Sequence, residues 1–146
     1  GSALLHQMEY PEWLRALRDN GDPHTVREGR AVASTFLAMR ARDERLVGLI
    51  DVRHSLDTAF FLRYGGHIGY SVRPDERRRG YASWMLAQGL DYCRSMGLRK
   101  VLITCLDTNE ASRRTILHAG GVYESTEHEP NENENLERYW ITLKGE

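Results

Sequence analysis

Residues 77–83, Arg-Arg-Arg-Gly-Tyr-Ala-Ser, combine the ingredients of an anion site. They follow the strand-like run "HIGYSVRP" (67–74), which Pro74 stops. They lead into a helical pattern of Ala82, Met85, Leu86, Gly89, Cys93 and Met96, closed by Gly97. The first turn of such a helix has amide N–H groups without intrahelical acceptors, and the helix dipole adds partial positive charge there. Phosphate suits that position, and a glycine at 80 lets an anion approach the backbone closely. Ala82 is small enough to bring the helix near a bulky pyrophosphate. An arginine-rich solvated turn fits this spacing equally well, so the flanking sequence has to discriminate.

Composition removes other readings of the same arginines. The chain has 146 residues and a formal net charge of −1, whereas a nucleic-acid patch built on Arg73, Arg77–Arg79 and Arg113–Arg114 would be expected in a basic domain. Apolar residues make up 40% and charged residues 28%, a globular balance, and the length suits a single domain over 1–146. No run approaches the roughly 20 apolar residues of a membrane helix, and no signal-peptide pattern opens the chain. Cys93 and Cys105 lack metal-ligand spacing and are too few for a disulfide scaffold, so reduced thiols, a cytoplasmic location and no metal are expected. Gly1-Ser2 reads as the remnant of a cleaved tag, 3–30 as an N-terminal helical region and 31–146 as the core.

The elements that must position the turn follow from pattern. "MEYPEWLRALRDNGD" (8–22) reads as a helix with Pro11 in its first turn and a Trp13, Leu14, Leu17 stripe. "AVASTFLAMRA" and "LVGLIDVRH" flank a polar "RDER" and read as a hairpin. "SLDTAFFLRYGG" (55–66) fits a short helix or a packed loop. "KVLITCL" (100–106) is a buried strand, and Asp107 or Asn109 caps a helix over "EASRRTILHAG". "GVYESTEH" and "LERYWITL" read as two last strands, with "EHEPNENENLE" (127–137) an exposed, mobile loop. Strand–helix–strand units mixed with hairpins predict an α/β (α+β) domain around a mixed sheet.

In this context the turn resembles the signature of the GNAT superfamily of acetyl-CoA-dependent N-acetyltransferases. Arg77, Gly80 and Ala82 match its Gln/Arg-x-x-Gly-x-Gly/Ala loop, and "TNEASRRTILHAGGVYE" resembles its Asn-led helix and following strand. More narrowly, "RH" at 53–54, "GGHIGYSVRP", "VLITC" and "RYWI" are similar to one bacterial branch of predicted acetyltransferases. The resemblance covers about residues 31–143. It implies a central, mostly antiparallel sheet flanked by helices, with a splayed strand pair that admits coenzyme A. Tyr70, Ser71 and Val72 would then offer strand-edge groups to the pantetheine arm. Arg77, Arg78, Arg79, Gly80, Tyr81, Ala82 and Ser83 would bind the pyrophosphate, with Asn109 and Ser112 along the other side. Asn109 as a plain helix cap is an equal alternative.

The implied reaction is direct transfer from acetyl-CoA to a primary amine of a small molecule or protein. An ammonium of pKa ~10 must lose a proton, and the developing oxyanion needs a preorganised donor. His67 falls where several family members carry a glutamate and is the candidate base; a structural histidine is the alternative. His54 fits a structural role better. Glu124 and Glu127 stand on a strand that could border the acceptor.

The sequence also departs from the family pattern. The position where the family often carries a proton-donating tyrosine is Ile116, and Tyr123, Cys105, Tyr92 and Ser112 are possible substitutes. That departure keeps open a second function, a coenzyme A-binding module without catalysis. Fewer residues than expected precede the first hairpin, so the family's first strand is expected to be missing, leaving a sheet edge open or filled by a partner in a homodimer. Acidic residues in 125–137 suggest a cationic acceptor, such as a polyamine, aminoglycoside or lysine side chain; a solvated loop explains them as well.

Overall fold

Helix α1 (Tyr10–Asn20) opens the computed structural model, which describes residues 9–26 and 31–144. Gly1-Ser2, Met8 and residues 27–30 of the expected N-terminal region lie outside the described residues. Pro11 sits in the first turn of α1, and Trp13, Ala16 and Asn20 are buried along one side. After it come β1 (Ala33–Arg40), β2 (Arg45–Arg53), a π-type turn (Phe61–Gly65) and β3 (Ile68–Val72). A 3-10 turn (Pro74–Glu76) leads to α2 (Tyr81–Ser95), β4 (Lys100–Leu106), α3 (Glu110–His118), β5 (Val122–Glu129) and β6 (Glu134–Thr142).

The strands form two antiparallel sheets of three, ordered β1-β2-β3 and β4-β6-β5. Among the described residues no ladder joins β3 to β4. Their sheets meet where Gly66 bridges to Ile103, and there the sheet divides. The splayed pair expected from the sequence is therefore β3 and β4. Among the described strands β1 is the first, and it stands at a sheet edge.

One core spans both halves. Ile50, Val52 and Ile68 from the first sheet meet Met85, Leu86 and Cys93 of α2, and Val101, Ile103, Tyr139 and Ile141 of the second sheet, with Ile116 of α3. Burial of each large aliphatic side chain here stabilises the fold by roughly 1.5–3 kcal/mol. Gly89 lets α2 approach β2: a Cβ there would lie 2.7 Å from Ile50 Cδ1. Since α2 lies against β2 and β3, its N-terminus is fixed relative to the division of the sheet.

The final hairpin corrects one expectation. The polar run 127–137 is mostly strand: β5 extends to Glu129, β6 begins at Glu134, and His128 pairs with Asn135. Glu129, 3% exposed, accepts the N–H groups of Asn131 and Glu132 and so closes the turn. A buried carboxylate organising backbone donors is invisible to composition, which registers only polarity.

Candidate active site

The turn from β3 into α2 adopts a conformation with two left-handed residues. Arg77 is extended, Arg78 has φ 65° and Gly80 has φ 85°. A positive φ at a non-glycine residue carries a cost, and such residues concentrate at functional sites. No side chain caps the N-terminus of α2, and Trp84 is the residue whose N–H reaches back to Gly80 O, at 3.0 Å. The amides of Tyr81, Ala82 and Ser83 therefore begin the helix as free donors. A Cβ at Gly80 would meet no atom within 4 Å, so open space lies beside the backbone there. An uncapped helix start, open space and exposed arginines fit a pyrophosphate. Arg73, Arg77, Arg78 and Arg79 are all exposed around this turn.

On β3, the side chains of Ile68, Tyr70 and Val72 face the core and α2, while Ser71 is exposed on the other side. The Tyr70 hydroxyl lies 3.0 Å from Ser112 Oγ in the first turn of α3, so this one contact spans β3 and α3. Burial raises the Tyr70 pKa, which keeps the phenol protonated. Asn109 is the α3 cap and accepts from Ser112 N at 3.1 Å, as one of its two expected roles requires; Asp107 is not the cap. The structure thus gathers Tyr70, Asn109 and Ser112 at the β3–α3 contact, and Arg77–Ser83 at the start of α2.

His67 stands where the sheets part. Its backbone N–H donates to Leu102 O at 2.7 Å, and its Nδ1 accepts from Leu102 N at 3.0 Å. One histidine thus satisfies both polar backbone groups of Leu102, replacing the ladder partner that β3 no longer supplies. An Nδ1 that accepts leaves the proton of the neutral ring on Nε2. Burial, together with the nearby Arg53 charge, lowers the His67 pKa to about 4. A ring held in this form donates from Nε2, which fits the structural alternative given for His67.

Other candidates are committed elsewhere. His54 Nε2 lies 2.8 Å from Ser34 Oγ, which lies 2.9 Å from the Tyr92 hydroxyl, the structural role expected for His54. Cys105 is buried and its thiol is pushed up to about 11. Tyr123 OH bonds Thr126 on exposed β5. Ile116 is fully buried in the core. Glu124 is held ionised by Arg138, at 2.6 Å, and by Trp140, which lowers its pKa; Glu127 pairs with Arg63.

Several residues of the site were not read from sequence. The carbonyls of residues 62–66, beside the division, are held by three side chains. Arg138 donates to Leu62 O and Arg63 O, Thr104 to Tyr64 O, and Arg53 to Gly65 O and Gly66 O. Arg40, Arg45 and Glu76 gather behind the arginine turn. Arginine type alone does not separate these anchors from solvated charges. Among the described residues, no group of three or more His, Cys, Asp or Glu could hold a metal, and no helix is long and apolar enough to cross a membrane.

Comparisons with known proteins give the family and the fold. No curated protein sequence matches the chain. The spermidine/spermine N-acetyltransferase SpeG from Vibrio cholerae is similar in structure, with TM-score 0.60 at 18% identity over 75% of this chain. A chimera of that spermidine N-acetyltransferase and hSSAT gives TM-score 0.66 at 14% identity, covering 92% of this chain and 76% of its own. Ribosomal-protein-S5-alanine acetyltransferase from Vibrio fischeri gives 0.64 at 16% identity over 75% of this chain. The chain spans 64% of the SpeG chain and 61% of the S5-alanine enzyme. The model of the acetyltransferase (GNAT) family matches residues 3–120, including β3 and β4 where the sheet divides, the arginine turn and α3. This chain therefore belongs to the acetyltransferase (GNAT) family.

Proposed function

We propose that this protein transfers an acetyl group from acetyl-CoA to a primary amine. The observation that carries the reading is the Arg77–Ser83 turn, with its two left-handed residues and uncapped helix start, set beside a divided sheet in a GNAT chain. Acetyl-CoA, when bound, supplies the acetyl group as a thioester. Arg77, Arg78 and Arg79 with the amides of Gly80–Ser83 hold its pyrophosphate. Among the described residues no strand pairs the outer edge of β3, where Arg77 Nε donates to Val72 O at 3.4 Å; that edge, at Tyr70–Val72, would face the pantetheine, with Asn109 and Ser112 across from it.

For proton transfer, the hydroxyl of Tyr70 is the donor offered to a leaving sulfur. It spans β3 and α3, its burial keeps it protonated, and Ser112 is placed to relay a proton from water back to it once it has donated. His67 positions the division of the sheet in this reading, and water removes the amine proton. Glu124, Glu127, Glu129 and Glu137 are tied to Arg138, Arg63, the hairpin turn and Arg113, so their charge says less about a cationic acceptor than composition suggested. The acceptor panel therefore starts with spermidine and an alanine-initiated peptide, the amines named by similar structures, followed by a lysine peptide and an aminoglycoside.

The test is calorimetric titration of acetyl-CoA, followed by thiol release over that panel. Wild type is expected to bind and turn over at least one amine. Gly80→Asp, which strains a residue at φ 85° and sets a carboxylate at the helix start, is expected to abolish binding. Retained binding in that variant sinks the site. The second reading, a coenzyme A-binding module without catalysis, rests on the burial of Ile116; binding without turnover of any amine would favour it.

A further inference from the structure

The arginine turn is held by residues from outside itself. Glu76 ends the 3-10 turn and is buried, at 5% exposure. Three guanidinium groups converge on its carboxylate. Arg40 Nη1 donates to Oε2 at 2.8 Å, and Arg79 Nη1 lies 3.5 Å from the same oxygen. Arg45 Nε sits 2.9 Å from Oε1, an ion pair whose N–H is not aimed for a hydrogen bond. Arg40 and Arg45 close the β1–β2 hairpin and are remote from the turn in sequence. Arg40 is itself fixed by Asp43, and its Nη1 also reaches the hydroxyl of Tyr81, the first residue of α2, at 3.2 Å. Arg45 pairs in addition with Asp75. The hairpin tip therefore grips the turn on both sides, at Glu76 before it and Tyr81 after it.

The three arginines are not equivalent. The Arg40 side chain is 14% exposed, whereas that of Arg79 is 52% exposed and makes the longest contact. A buried carboxylate next to an anion site is also unexpected on charge alone, because it repels the anion.

We propose that Glu76, held by Arg40 and Arg45, is a positioning residue that pre-orders the Arg77–Gly80 turn, and that Arg79 is the guanidinium that leaves it for a bound pyrophosphate. The proposal rests on the acetyl-CoA reading above. Arg78 at φ 65° does not favour this turn by itself, and the ion pairs on Glu76 offset that cost. A turn ordered in advance spares the ligand the entropy of ordering it.

Charge and positioning predict opposite signs for one substitution. Glu76→Gln removes a negative charge beside the site, so Coulomb attraction alone would tighten acetyl-CoA binding. Positioning predicts weaker binding by calorimetry, on the order of tenfold, in protein with a wild-type circular dichroism spectrum. Glu76→Asp keeps the charge but loses reach, and it is expected to weaken binding too, which covers the case where Glu76→Gln does not fold.

A second readout needs no ligand. Trypsin should cut the free wild-type protein slowly at Arg77–Arg79 despite their exposure, and several-fold faster in either variant. Binding in Glu76→Gln as tight as in wild type, or tighter, overturns the proposal. So does a wild-type turn cut as fast as an unfolded peptide. If wild type does not bind acetyl-CoA, the functional reading fails, and the proteolysis still decides whether Glu76 orders the turn.

Discussion

His67 makes stability depend on pH in a way that can be worked through. In the folded protein its pKa is lowered from 6.5 to about 4, first by burial and then by the charge of Arg53. The unfolded chain therefore binds more protons between those values, and stability rises with pH across that window. The contribution is fully present above pH 6.5 and is lost as pH falls towards 4. At 1.36 kcal/mol per pH unit, a gap of this size amounts to about 3 kcal/mol, a large fraction of typical domain stability. Protonating Nδ1 also removes the acceptor of the Leu102 N–H, so the cost falls where the sheets part. The assay is urea unfolding at several pH values from 4 to 7.5, on wild type and His67→Asn. The asparagine amide oxygen can replace Nδ1 as acceptor but does not titrate. Wild type is expected to lose about 3 kcal/mol more than the variant between pH 7 and pH 4. Equal losses in the two proteins would refute the reasoning. Turnover in His67→Asn within a few-fold of wild type would further show that the ring is not the base.

Gly66→Ala is expected to cost at least about 2 kcal/mol in chemical denaturation. Gly66 has φ 67° and ψ −170°, and a Cβ there would lie 2.5 Å from Leu102 O, a backbone atom. Arg78→Gly relieves the positive φ and should raise stability by about 1 kcal/mol, read as a higher melting temperature, while lowering acetyl-CoA affinity through the lost charge. A lower melting temperature would show that the left-handed conformation is not strained. Tyr70→Phe should lower kcat about 10²-fold or more with little change in acetyl-CoA Kd. A parallel loss of affinity would instead mark the hydroxyl as a binding or packing group.

Much of the fold was legible from local pattern. Pro11, the Met85–Cys93 spacing and the Gly97 stop define helices by steric and periodic rules that act within one turn of chain. The anion turn was legible for the same reason, since Gly80 next to a helix start is a local arrangement. The last two strands were legible too, but the ordered turn that joins them within 127–137 was not, because Glu129 acts through burial, which polarity does not encode. By itself the sequence determined the family-like order of elements and the position of the arginine turn. Tertiary structure alone decided which charged residues support it. Arg40 and Arg45 reach Glu76 only because the β1–β2 hairpin folds against the turn. It also placed the Tyr70 hydroxyl against Ser112 and reserved the His67 ring for Leu102. Each of these depends on side chains far apart in the chain meeting in a desolvated place, where a hydrogen bond or ion pair changes what a titratable group can do.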